Sequence, residues 1–147
     1  MKSLLAAIAL MATPVLAHAE TLMTCDGAAG TSYTFEGGLV STGEKAWNTN
    51  DGMPKGNVAL TKSGSDLDLI ITDASGATFS ARADGAQIYT IAERSGEWVV
   101  MALWQSGLET YYFNSMSRGG EMAVTMTKFG SLISKASVYR AACRIGA

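Results

Sequence analysis

Apolar and polar residues alternate along this chain with a period of two, the period of a strand with one face covered and one face wet. Leu67, Leu69 and Ile71 fall on one side of an extended run, and Asp66, Asp68 and Thr72 fall on the other. Eight runs of this kind follow one another from residue 57: Asn57 to Lys62, Asp66 to Thr72, Ala77 to Ala83, Ala86 to Ala92, Glu97 to Trp104, Leu108 to Asn114, Glu121 to Lys128 and Leu132 to Arg140. The segments between them all contain glycine, as tight hairpins require, so each neighbouring pair is expected to be antiparallel. The run from Trp98 to Trp104 is apolar on both sides and therefore needs a cover on both.

This pattern predicts an all-β fold, an antiparallel meander of eight to ten short strands closing into a small barrel or a barrel-like sandwich. Upstream, Ser32 to Glu36 reads as a further strand, with Leu39 to Thr42 as its possible partner. An even strand count is preferred, because it brings Cys25 and Cys143 to the same end of an up-and-down barrel. Gly43 to Gly56 is too long for a turn and reads as a binding loop. Strict alternation would place that loop beside the turns at 73–76, 93–96 and 115–120. Lys45, Trp47, Lys55, Arg94 and Arg118 would then gather at one mouth as candidate ligand or partner contacts.

Composition adds a compartment to this picture. Residues 1–19 have the pattern of a signal peptide, with Lys2, an apolar run from Leu4 to Leu16 and Ala17-His18-Ala19 as a cleavage site. The run is too short to span a bilayer, so a periplasmic or secreted chain is expected, with residues 20–147 as a single barrel domain. Loss of Lys2 leaves ten basic against thirteen acidic residues, a balance with no electrostatic footprint for nucleic acid. Two cysteines in an exported chain read as a disulfide, Cys25 to Cys143. The rival is a lipid anchor on Cys25, since Leu22-Met23-Thr24-Cys25 resembles a lipoprotein processing site with threonine where a small residue is usual.

The chemistry available to such a chain is narrow. Its one histidine, His18, leaves with the leader, which removes the common serine and cysteine nucleophile systems and most zinc sites. Lys62 beside Ser63-Gly64-Ser65 is better explained by hairpin formation than by a Ser/Lys enzyme. The carboxylate pairs Asp66/Asp68 and Glu93/Glu97 fit a solvated strand face better than a glycosidase site. Asn48 to Gly52 offers oxygen ligands without the spacing of a calcium loop. No catalytic residue, cofactor or metal is therefore assigned. Trp98, Trp104, Tyr111, Tyr112 and Phe113 suit either a core or a ligand cage.

Two stretches resemble motifs of the membrane-bound lysozyme inhibitors: Ser106-Gly107-Leu108-Glu109-Thr110-Tyr111 is similar to their Ser-Gly-x-x-Tyr, and Thr127-Lys128-Phe129-Gly130 to their Thr-Lys-Gly, each with one residue inserted. The resemblance implies a small exported barrel that blocks an enzyme, and it stops short of membership. Three functions remain open. The first is a non-enzymatic domain binding a small apolar or amphipathic molecule at the mouth bearing the 43–56 segment. The second is a protein-binding module such as a periplasmic protease or lysozyme inhibitor. The third is a structural envelope protein that associates through its apolar strand faces. A filled interior argues against the first, and an extended, rigid 43–56 segment favours the second.

Overall fold

The computed structural model describes residues 19–116, 118–130 and 132–146. The expected leader lies outside the described residues, save for Ala19. Nine strands form one sheet: β1 (Glu20–Thr34), β2 (Ala46–Ser63), β3 (Asp66–Thr72), β4 (Thr78–Ser80), β5 (Gln87–Arg94), β6 (Glu97–Trp104), β7 (Gly107–Asn114), β8 (Glu121–Lys128) and β9 (Lys135–Ile145). Every ladder is antiparallel, in the order β4-β3-β2-β1-β9-β8-β7-β6-β5, and the sheet curls strongly into a half-barrel. The ends of the chain thus pair in mid-sheet, and its middle supplies both sheet edges. Among the described residues no helix is long and apolar enough to cross a membrane.

The alternation read from the sequence decides which residues line the concave face. Met23, Leu60, Leu67, Leu69, Phe113 and Met122 are almost wholly buried there, so the inside of the curl is filled with side chains. Cys25 and Cys143 stand opposite one another across β1 and β9, with Cα atoms 3.9 Å apart, and form a disulfide. No cysteine is left free. Cross-links of this kind form in oxidising compartments.

Nine is an odd number, against the preference for an even one, and the turn at residues 81–86 explains it. Because every ladder is antiparallel, β4 and β5 must run in the same direction. The chain turns between them without reversing, where Asp84-Gly85 had suggested a hairpin. Asp68 holds this turn in place: its carboxylate accepts hydrogen bonds from Ser80 Oγ at 2.5 Å and from the Arg82 amide at 3.2 Å. Counted by direction there are eight passes, so the two cysteines do meet.

The same turn reassigns every later loop. Among the described residues, segments 35–45, 73–77, 105–106, 129–130 and 132–134 share one end of the half-barrel, termed the loop end. Turns 64–65, 95–96, 115–116 and 118–120 lie at the opposite end with the start of β1 and the end of β9, the terminus end. The seam between β4 and β5 is bridged by side chains. Lys62 of β2 pairs with Glu93 of β5, and Phe79 of β4 meets Trp104 of β6 edge-on, with ring centroids 6.4 Å apart.

The expected 43–56 loop is mostly strand. Residues 46–53 continue β2 and pair with β1 from Ala28 to Thr34. Leu39 to Thr42 forms no strand; Gly37 and Val40 make a single bridge. The true loop runs over 35–45. Polar residues from Asn48 to Asp51 hid the strand, because this end of β2 pairs with β1 alone and residues 46–50 are exposed on both faces.

Candidate functional site

The loop end collects the unusual chemistry. Phe35, Leu39, Trp47, Phe129, Leu132 and Ile133 stand exposed there, with Trp47 at 72 % and Leu132 at 69 % of full exposure. Backbone bonds fix the segments to each other: the Leu39 amide donates to the Leu132 carbonyl at 2.8 Å, and the Phe35 amide to the Ser134 carbonyl at 3.0 Å. Tyr33 packs between Phe35 and Trp47, at centroid distances of 5.0 and 5.1 Å. Exposed apolar side chains grouped in this way make the loop end a candidate interaction surface.

Beneath the tip, β2 is tied to β9 by a polar cluster. Lys135 Nζ lies 2.9 Å from Asp51 Oδ2, and Tyr139 donates its hydroxyl proton to the same oxygen at 2.6 Å. Burial alone would raise the Asp51 pKa, but hydrogen bonds from Ser32, Tyr139 and Lys135 outweigh it and hold the carboxyl well below its ordinary range. Burial works to lower the Lys135 pKa, and the Asp51 and Tyr139 contacts overcome it and raise the pKa. A lysine kept protonated in this way is not a general base. The buried Ser137 hydroxyl on the same strand meets no partner among the described residues.

A cavity of about 290 Å³ opens at the loop end beside the seam, lined by Phe79, Asp84, Trp104, Ser106, Glu109 and Lys128. Glu109 lies on the concave side of β7, two residues before buried Tyr111, whose hydroxyl donates to Glu109 Oε2 at 2.6 Å. Burial, and then the Glu109 charge, push the Tyr111 pKa well up. Both stretches similar to the lysozyme-inhibitor motifs contribute to this cavity, through Ser106, Gly107 and Glu109 from one and Lys128 from the other.

The five residues expected at one mouth are not brought together. Lys45 and Trp47 are at the loop end, with Lys45 Nζ 3.3 Å from a Glu36 carboxylate oxygen. Lys55 is exposed midway along β2, and Arg94 and Arg118 are exposed at the terminus end. The non-reversing turn at 81–86 is the reason, since it exchanges the ends of all later loops. The carboxylate pairs are separately engaged: Glu93 with Lys62, and Glu97 with the Tyr112 hydroxyl at 2.6 Å. Among the described residues no group of three His, Cys, Asp or Glu side chains could hold a metal. Of the aromatic set, Tyr111 and Phe113 are core, Tyr112 is exposed on the convex face, and Trp104 lines the cavity.

Asp51, Glu109, Lys128 and Lys135 are not among the candidates that the sequence suggests, although three of them carry a signal. Glu109 shares its strand face with Tyr111 and Phe113, Lys128 with Val124 and Met126, and Lys135 with Tyr139 and Cys143. A charge on the dry side of a strand end marks a mouth. Asp51 lay in the segment read as loop and had no such signal. Comparison of the chain with family models, curated proteins and solved structures gives no match.

Proposed function

We propose that this protein is a non-enzymatic, periplasmic or secreted protein-binding module that presents its loop end to the cleft of a partner enzyme. The observation that carries this reading is the apolar tip, six large side chains held on an ordered rim by backbone hydrogen bonds. The filled concave face speaks against a carrier that encloses its cargo. The strand character of residues 46–53 makes the segment bearing Trp47 extended and rigid, as an inserted inhibitor element needs. Lys45 and Lys135 are already paired with Glu36 and Asp51, and Lys128 shares its cavity with Asp84 and Glu109, so the loop end carries no basic cluster to draw an anionic lipid surface. Lys135 is held protonated and the Ser137 hydroxyl meets no base among the described residues, which supports the non-enzymatic reading.

The test is inhibition of a panel of lysozymes and secreted proteases by the purified protein, with Trp47→Ala and Leu132→Ala compared with wild type. Trp47→Ala is expected to weaken inhibition about tenfold or more, since tryptophans at contact centres dominate recognition energy, and Leu132→Ala to weaken it by a smaller factor. Inhibition that survives both substitutions, or a panel in which no enzyme is slowed, counts against the reading.

A further inference from the structure

We infer that the cavity lined by Phe79 and Trp104 binds a small zwitterion with an apolar side group, the chemical class of a free aromatic or branched amino acid. Its walls carry the three elements such a molecule needs. Phe79 and Trp104, packed edge to face, provide an apolar wall. Asp84 and Glu109 supply carboxylates for an ammonium group, which the Trp104 ring also attracts through its π face. Lys128 supplies an ammonium for a carboxylate.

The pairing within the protein strengthens the argument. The Lys128 ammonium and the Asp84 carboxylate have no hydrogen bond or ion pair with any described residue, and the Glu109 carboxylate receives one hydrogen bond, from Tyr111. The buried indole N–H of Trp104 meets no acceptor among the described residues. Elsewhere on the molecule charged groups facing one another are joined, as Lys62 is to Glu93 and Arg144 to Asp26. Around this cavity opposite charges line one space without pairing. A molecule carrying both signs satisfies them together, whereas a pure cation leaves Lys128 unmatched and a pure anion faces two carboxylates. The volume, about 290 Å³, sits at the small end of the usual range for small-molecule pockets and admits one side group of that size. The site does not depend on the apolar tip, so it holds whether or not the tip engages an enzyme.

The experiment titrates L-phenylalanine, phenethylamine and 3-phenylpropionate into the nitrogen-15-labelled protein and follows the three tryptophan indole N–H resonances, that of Trp104 assigned through Trp104→Phe. Phenylalanine is expected to shift the Trp104 resonance and to bind at least about tenfold more tightly than either singly charged analogue. Lys128→Gln should bring phenylalanine down to the level of phenethylamine, and Asp84→Asn down to that of 3-phenylpropionate. Both positions are exposed, and an unchanged thermal transition verifies that each variant folds. Equal affinity for all three molecules, or a Trp104 resonance unmoved by millimolar phenylalanine, overturns the inference.

Discussion

Asp51 shows how much one carboxylate can decide at the rim of a sheet. Its pKa is held below the ordinary value of 3.8, so its share of stability is complete above that value and fades as the pH falls below it. Lys135 is raised above 10.5, so its share is complete below that value and is lost only as the pH climbs past it. Asp51→Asn is expected to cost about 1–3 kcal/mol near neutral pH. Urea denaturation checks it, and the gap to wild type should narrow in strongly acid solution; a gap independent of pH would mean that the charge is not what the network uses. Trp47 makes the opposite case. It is exposed and touches Tyr33, so Trp47→Ala should cost under about 1 kcal/mol. Trp98, packed against the core, should cost about 3 kcal/mol when cut to alanine. Equal losses in chemical denaturation would show that Trp47 belongs to the wall.

Elements were legible where each strand had a dry side and a wet side. β3 and β6 coincide with the runs read from alternation, and β7 and β8 differ from theirs by one residue at most. The β1–β2 extension was not legible, because residues 46–50 are exposed on both faces and carry no alternation. What specifies it instead is glycine. A Cβ on Gly30 would come within 1.9 Å of the Val138 carbonyl oxygen, and one on Gly52 within 2.4 Å of the Ala28 carbonyl oxygen. Backbone meets backbone at both points, so no flexible side chain can give way. Gly30→Ala is therefore expected to destabilise the fold by roughly 1–3 kcal/mol, the usual scale for overpacking. A melting temperature no lower than wild type would show that β1 can shift off β9. The direction of β5 was equally hidden: Asp84-Gly85 is good hairpin chemistry, and the bonds that hold the turn come partly from β3, from the Asp68 carboxylate and the Leu67 and Leu69 carbonyls.

At the scale of the molecule, the disulfide joins the first strand to the last across 118 residues. Constraining so long a loop contributes up to about 4.7 kcal/mol in the chain-entropy account. Cys25→Ser with Cys143→Ser should lower the urea midpoint accordingly, with the slope checked for a changed denatured state. A midpoint equal to that of the oxidised protein would show that β1 and β9 hold without it. The candidate site was less legible than the fold, since Phe79, Asp84, Glu109 and Lys128 lie on four separate segments and are united only by the curl of the sheet.

The pairing of β1 with β9 also sets an order of events in time. β1 is flanked by β2 on one side and β9 on the other, so one edge of the first strand stays open until the last residues are available. Contacts this distant in sequence form slowly. A chain emerging amino end first cannot seal the row containing Met23 and Cys25 before Cys143 and Ile145 arrive. A truncation of ten residues at the carboxyl end therefore removes most of β9 from the centre of the sheet while the strands at both margins stay in the chain.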